Sequence, residues 1–129
     1  MIAEIARWVV IAFGLWIAAV GVLMASAPHT ARSGLARMGS TPIINVTELG
    51  LRLVAGLAIW LAADLSRWPD GFRVAGSFVV ITSVLLLAIP RRWHHGYALW
   101  WANRLKPLWV RLLAPAALIA GAVVVWSVA

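Results

Sequence analysis

No cysteine occurs in this chain. That excludes disulfide staples, thiolate metal sites and thiol catalysis together. Carboxylates are also scarce: four Asp and Glu stand against eleven Lys and Arg, for a formal net charge of +7. Those four are dispersed. Glu48 and Asp64 lie about 24 Å apart along a helix at roughly 1.5 Å per residue, so they cannot act as an acid/base pair. A nucleophile elbow, a glycine-rich phosphate loop and a paired-histidine protease helix are all missing. Ser26, Ser66 and Ser83 have no base at useful spacing. With no catalytic constellation, the chain is expected not to be an enzyme.

What is abundant is apolar sequence. Hydrophobic residues make up 64% of the 129 positions, where a soluble domain has about half. They fall into four blocks, about 5–27, 46–66, 72–89 and 108–128. Each is long enough for a hydrocarbon layer of roughly 30 Å, which takes about 20 helical residues. Backbone groups in lipid must be satisfied internally, and no alternating strands are present to close a barrel. The expected fold is therefore an all-α membrane protein, a single domain over 1–129 with four transmembrane helices. The first block is long for a signal-peptide core and is read as a retained helix.

The chain also reads as one hairpin written twice, about 5–66 and about 72–129. A shift of 62 places Val22, Leu23, Pro28, Gly34 and Ala36 on Val84, Leu85, Pro90, Gly96 and Ala98. A shift of 59 places Leu49, Arg52, Leu53, Ala55 and Ala58 on Leu108, Arg111, Leu112, Ala114 and Ala117. Both hairpins run in the same direction. The expectation is a pair of parallel repeats about an axis along the membrane normal, unlike the inverted repeats common in transporters.

The basic residues give an orientation. Arg32, Arg37, Arg91, Arg92, Arg104, Lys106 and Arg111 fall on one side, and Arg7, Arg67 and Arg73 on the other with Glu4, Asp64 and Asp70. By the positive-inside rule the two long connections are cytoplasmic and both termini non-cytoplasmic, in an inner or plasma membrane. The expected partners are anionic lipid headgroups at the basic edge and further membrane subunits or copies of this chain. Nucleic acid is not expected, since the cations flank membrane helices.

Along the first helix, Gly14, Ala18, Gly21 and Ala25 lie in one stripe about 60° wide at roughly 100° per residue, a surface for close helix packing. Pro28 ends that helix, and 29–41 forms a short basic segment along the headgroups. The second helix is expected to start near Asn45, as cap, with Glu48 completing a partial capping box. On its wheel Glu48, Arg52, Ala55, Gly56, Ile59, Ala63 and Ser66 face protein, while Leu49, Leu53, Leu57, Trp60 and Leu61 face lipid. Residues 92–105 are expected to form an interfacial amphipathic helix between helices 3 and 4. Trp93, Tyr97, Trp100 and Trp101 would anchor it at headgroup level, joined by Arg111 at the next helix start.

Glu48 and Arg52 are the sharpest site candidates. They stand four apart, with the acid first, and charges in a spanning helix tend to face protein or a cavity. Both are expected to point into the bundle, contacting each other or a hydroxyl such as Thr47. The competing reading makes Glu48 a helix-start charge and Arg52 a headgroup anchor. His29, His94 and His95 are the weak cofactor candidates, set against plain interfacial hydrogen bonding. No metal and no cofactor is expected.

Each hairpin resembles the small uncharacterised two-helix proteins of bacterial inner membranes, in Pro28…Leu51-Arg52-Leu53 and Pro90…Val110-Arg111-Leu112. The second copy departs with Val110 for leucine and Pro115 opposite Gly56. The resemblance implies membrane residence and brings no chemistry. The leading functional expectation is a non-enzymatic accessory, scaffold or self-associating subunit of a membrane complex. The alternatives are a small oligomeric transporter or channel using Glu48 and Arg52, or a membrane enzyme or cofactor protein.

Overall fold

A computed structural model describes all residues from 1 to 129. It contains helices and no strand: α1 (Ile2–Ser26), α2 (Pro28–Ala36), α3 (Pro42–Leu61), α4 (Pro69–Ala88), α5 (Arg91–Arg104) and α6 (Pro107–Val128), with one 3₁₀ turn at Ala63–Leu65. The helices α1, α3, α4 and α6 are long and apolar enough to cross a membrane.

Proline sets most of the boundaries. Pro28, Pro42, Pro69 and Pro107 stand in the first turns of α2, α3, α4 and α6, and Pro90 is the residue before α5. A first-turn proline gives up an N–H that has no helical partner anyway, and its φ is already helical. Pro28 thus closes α1 and opens α2 after the single residue Ala27. The segment expected only to follow the headgroups is itself helical over 28–36. Pro115 lies inside α6, where it withdraws one backbone hydrogen bond without ending the helix.

Two expectations for the second span change. Thr41, not Asn45, is the N-cap of α3: its hydroxyl accepts the Ile44 N–H at 3.1 Å. A threonine before a first-turn proline fixes the start earlier than an asparagine one turn on can. The span also ends at Leu61, before 66, and tightens into the 3₁₀ turn, where the Ser66 hydroxyl donates to the Ala63 carbonyl. The wheel is corrected as well. Leu49, expected on the lipid side, is 2% exposed. The helix α3 packs on α4 and also on α1, so its buried arc is wider than the small-residue face alone.

The main packing pairs are α1 with α6 and α3 with α4, both antiparallel. A Cβ on Gly121 would sit 2.6 Å from both the Ala18 amide nitrogen and the Gly14 carbonyl oxygen. One on Gly21 would sit 2.9 Å from the Leu118 amide nitrogen. The stripe of Gly14, Ala18 and Gly21 is therefore covered by α6, while Ala25 is exposed. In the other pair, a Cβ on Gly76 would meet the Trp60 amide nitrogen at 2.7 Å and the Gly56 carbonyl at 2.8 Å. A small core of Ala6, Val10, Ala58, Ile59, Ala62 and Val128 joins the two pairs.

Only 24 of 129 residues are buried, and all nine tryptophans are exposed. The outside of the bundle is thus at least as apolar as its inside, which suits a surrounding of hydrocarbon.

Candidate functional site

At one end of the bundle lie the α1 and α6 ends that hold Glu4, Arg7 and Trp126, with the α3–α4 turn. Three ion pairs occur in the protein, and all are here: Arg7 with Glu4 at 3.1 Å, Arg73 with Asp70 at 3.5 Å, and Arg73 with Asp64. Arg67 ties the turn to the last turn of α6. Its backbone N–H donates to the Ser127 carbonyl at 2.9 Å and its Nε to the Trp126 carbonyl at 3.1 Å, with the guanidinium 4.4 Å from the Trp126 ring centre. Arg7, Arg67 and Arg73 balance Glu4, Asp64 and Asp70, so the side chains of this end sum to zero.

The opposite end carries the whole net charge. Arg32, Arg37, Arg52, Arg91, Arg92, Arg104, Lys106 and Arg111 stand there with Glu48 alone, leaving +7. No ion pair relieves them. The helices α2 and α5 pack together at this end, the start of each beside the end of the other. Arg32 on α2 donates through Nε to the Ala102 carbonyl near the end of α5. Arg91 at the start of α5 donates to the Gly39 carbonyl at 2.9 Å and the Ser40 carbonyl at 2.7 Å, beyond α2.

The α2–α3 turn at 38–41 is where polar side chains converge. Gly39 turns the chain with φ +70°, a left-handed conformation in which glycine is unstrained. Its N–H donates to the Glu48 carboxylate at 3.2 Å. His95 Nδ1 donates to the Met38 carbonyl at 2.9 Å. His94, buried, donates from Nδ1 to the Asn45 amide oxygen at 2.7 Å. A Cβ on Gly39 would come within 3.0 Å of the His94 ring nitrogen. Glu48, His94, His95, Asn45 and Arg91 thus form one cluster that fastens α5 and α3 to the turn.

Of the site residues read from sequence, this cluster gathers Glu48, His94 and His95. It leaves out Arg52 and His29. Glu48 and Arg52 make no ion pair. Arg52 is exposed and donates to the Thr82 hydroxyl of α4 at 2.8 Å, where the sequence pointed to Thr47. His29 is exposed at the start of α2. No three His, Asp or Glu side chains stand close enough together to share a metal ion. The members of the cluster hold backbone carbonyls, an amide and each other's elements. Arg91 and Asn45, which carry much of it, were read from the sequence only as a topology charge and a helix cap, and nothing in their spacing pointed to the Gly39 and Ser40 carbonyls or to His94.

Because Glu48 and Arg52 have separate partners, exchanging them should be nearly additive. In a double-mutant cycle of Glu48→Gln and Arg52→Gln, the expected coupling is that of an exposed pair one turn apart, about 0.5 kcal/mol or less. A desolvated pair would lose about 3–5 kcal/mol on removal of one partner. Thermal unfolding in detergent distinguishes the two.

The aromatic residues of α5 are all exposed. Trp100 meets Trp101 edge-on at 5.0 Å, Tyr97 meets Trp101 edge-on at 6.3 Å, and the Arg104 guanidinium lies 4.1 Å from the Trp100 ring centre. Arg111, exposed at the start of α6, donates through Nε to the Ala25 carbonyl at 3.2 Å. No protein-family model, curated protein or solved structure matches the chain.

Proposed function

We propose that this chain is a multi-pass protein of the inner (plasma) membrane that works without catalysis, as an accessory or scaffold subunit, with its basic end in the cytoplasm. The observation that carries this reading is the division of charge. All of the +7 stands at one end of a bundle whose flanks are apolar and whose other end is neutral. That is the distribution the positive-inside rule describes. The polar cluster supports the non-catalytic part, because its groups are engaged in holding the chain's own turns. Glu48 in particular is committed to the Gly39 N–H, which sets the transporter reading behind the accessory one.

The bundle further reads as two repeated hairpins about an axis along the membrane normal. Such an axis would exchange α1 with α4 and α3 with α6, and so turn the α1–α6 pair into the α3–α4 pair. Reciprocal contacts support this. Arg52 of the first hairpin reaches α4 of the second, and Arg111 of the second reaches α1 of the first. Arg32 and Arg91 likewise each hold a carbonyl at the far end of the other's segment. In this arrangement α2 and α5 lie along the cytoplasmic headgroups, with Trp93, Tyr97, Trp100 and Trp101 as anchors. The stripe on α1 is already covered by the chain's own α6, so self-association of the folded protein employs another face.

The test is topological. Reporter fusions at Ala129 should read as non-cytoplasmic and fusions within 103–106 as cytoplasmic; the reverse pattern would overturn the orientation. Purification in mild detergent addresses the role. A stoichiometric partner or a homo-oligomer is the expected outcome, and a bound chromophore would exclude the reading.

A further inference from the structure

Two clefts open at the basic end, and they are neighbours. The first, about 470 Å³, lies where α1 passes into α2 beside the start of α6, and its polar lining includes His29, Thr30 and Arg111. The second, about 190 Å³, lies between α2 and α5 and is lined by Arg32 and Asn103. His29 lines both. Each cleft therefore holds one arginine, and one histidine stands between.

The two arginines are presented alike. Each spends Nε on a backbone carbonyl, Arg111 on Ala25 and Arg32 on Ala102. Neither meets a carboxylate, and no further hydrogen bond occupies the Nη ends. A guanidinium held in this way offers two parallel donors, the geometry that matches two oxygens of a phosphate. Arg52, the counterpart of Arg111, has Glu48 one turn before it, whereas Arg111 has Pro107 at that place. The first cleft is thus free of the acid that would compete with an anion, and neither cleft is lined by Asp or Glu. The first opens where the spanning-length helix α1 ends and α6 begins, and the second beside it between the short helices α2 and α5. Leu108 and Trp109 are exposed just along α6, a surface for acyl chains.

We propose that the two clefts together bind one diphosphatidyl lipid, a cardiolipin-type molecule with two phosphates on a shared glycerol. One phosphate sits at Arg111 and the other at Arg32, with His29 between them. Basic pockets between spanning helices are a known setting for such headgroups. The inference rests on the chain residing in a membrane, which the reporter fusions test separately. A failure here leaves that result standing.

The experiment uses the full chain, purified and delipidated in detergent. It is titrated with cardiolipin, phosphatidylglycerol or phosphatidylcholine at equal total phosphate, and bound lipid is counted by native mass spectrometry. One cardiolipin per chain is expected, held at least about fivefold more tightly than phosphatidylglycerol. Arg111→Gln and Arg32→Gln should each weaken it about fivefold, the effect of one cation near a headgroup. Arg92→Gln, an exposed cation of the same end outside both clefts, should change it less than about twofold on the same scale. If Arg111→Gln does not purify, Arg111→Lys keeps the charge without the fork and should still weaken cardiolipin binding. Equal binding of cardiolipin and phosphatidylglycerol would overturn the proposal, as would an Arg92→Gln effect as large as the others. Competition by inorganic pyrophosphate as strong as by the lipid would reduce the site to a general anion site and also overturn it.

Discussion

Gly121→Leu is expected to separate α1 from α6 and to be the most damaging single change in the protein. The position accepts no side chain. A Cβ alone would stand 2.6 Å from the Ala18 amide nitrogen and 2.6 Å from the Gly14 carbonyl oxygen. Both are backbone atoms, so no rotamer change relieves the contact; the helices must move apart. Overpacking usually costs about 1–3 kcal/mol, and a clash with backbone belongs at or above the top of that range. The loss also spreads along the crossing, because the Gly21 contact with Leu118 depends on the same separation. Gly50→Ala is the matched control. Nothing lies within 4 Å of its Cβ position in α3, so the change should be neutral or gain up to about 1 kcal/mol from helix propensity. Thermal unfolding of the two variants in the same detergent checks both. Similar melting temperatures would mean that α1 and α6 are not in close contact.

Asn45→Ala should have the second largest effect, for a different reason. It removes the only partner of the buried His94 ring nitrogen. A buried donor left unpaired costs about 1–3 kcal/mol, whereas replacing both partners by apolar groups can be nearly neutral. The double variant Asn45→Leu with His94→Leu is therefore expected to recover most of the stability lost in Asn45→Ala. The same unfolding measurement reads this out. If His94→Leu alone costs nothing and the double variant recovers nothing, the bond does not hold α5 to α3.

The four spans were legible because they depend on a long-range property, the run of apolar residues, that few local details can override. The helix over 91–104 was legible for a similar reason, since its tryptophans alternate with cations across a stretch bounded by Pro90 and Pro107. Element starts were less so. Asn45 and Thr41 are both good caps, and what separates them is Pro42, whose ring favours a helix beginning at itself. Leu49 was misplaced because a helical wheel shows which residues share a face but not how many neighbours the helix will have. The helix α3 packs on both α4 and α1, and a wheel drawn from the sequence does not count those neighbours. The stripe on α1 announced a close crossing without naming the partner. A glycine surface fits any helix that can come near it, and the choice of α6 depends on how the chain closes. The polar cluster around Gly39 was least legible. Its members come from α3 and α5, far apart in the sequence, and meet only because α2 and α5 lie side by side.

The pairing of α1 with α6 has a consequence in time. Between Ser26, where α1 ends, and Pro107, where α6 begins, the difference in residue number is 81. At a synthesis rate of about 5–20 residues per second, that interval lasts roughly 4–16 s. Throughout it α1 is in place with the groove of Gly14 and Gly21 open, while α3 and α4 can already pair with each other. The groove is closed only when the other end of the chain arrives. Two chains made side by side present identical open grooves and identical late helices. Either α6 then fits either α1, so the characteristic misassembly of this topology is a dimer in which the two copies exchange α6.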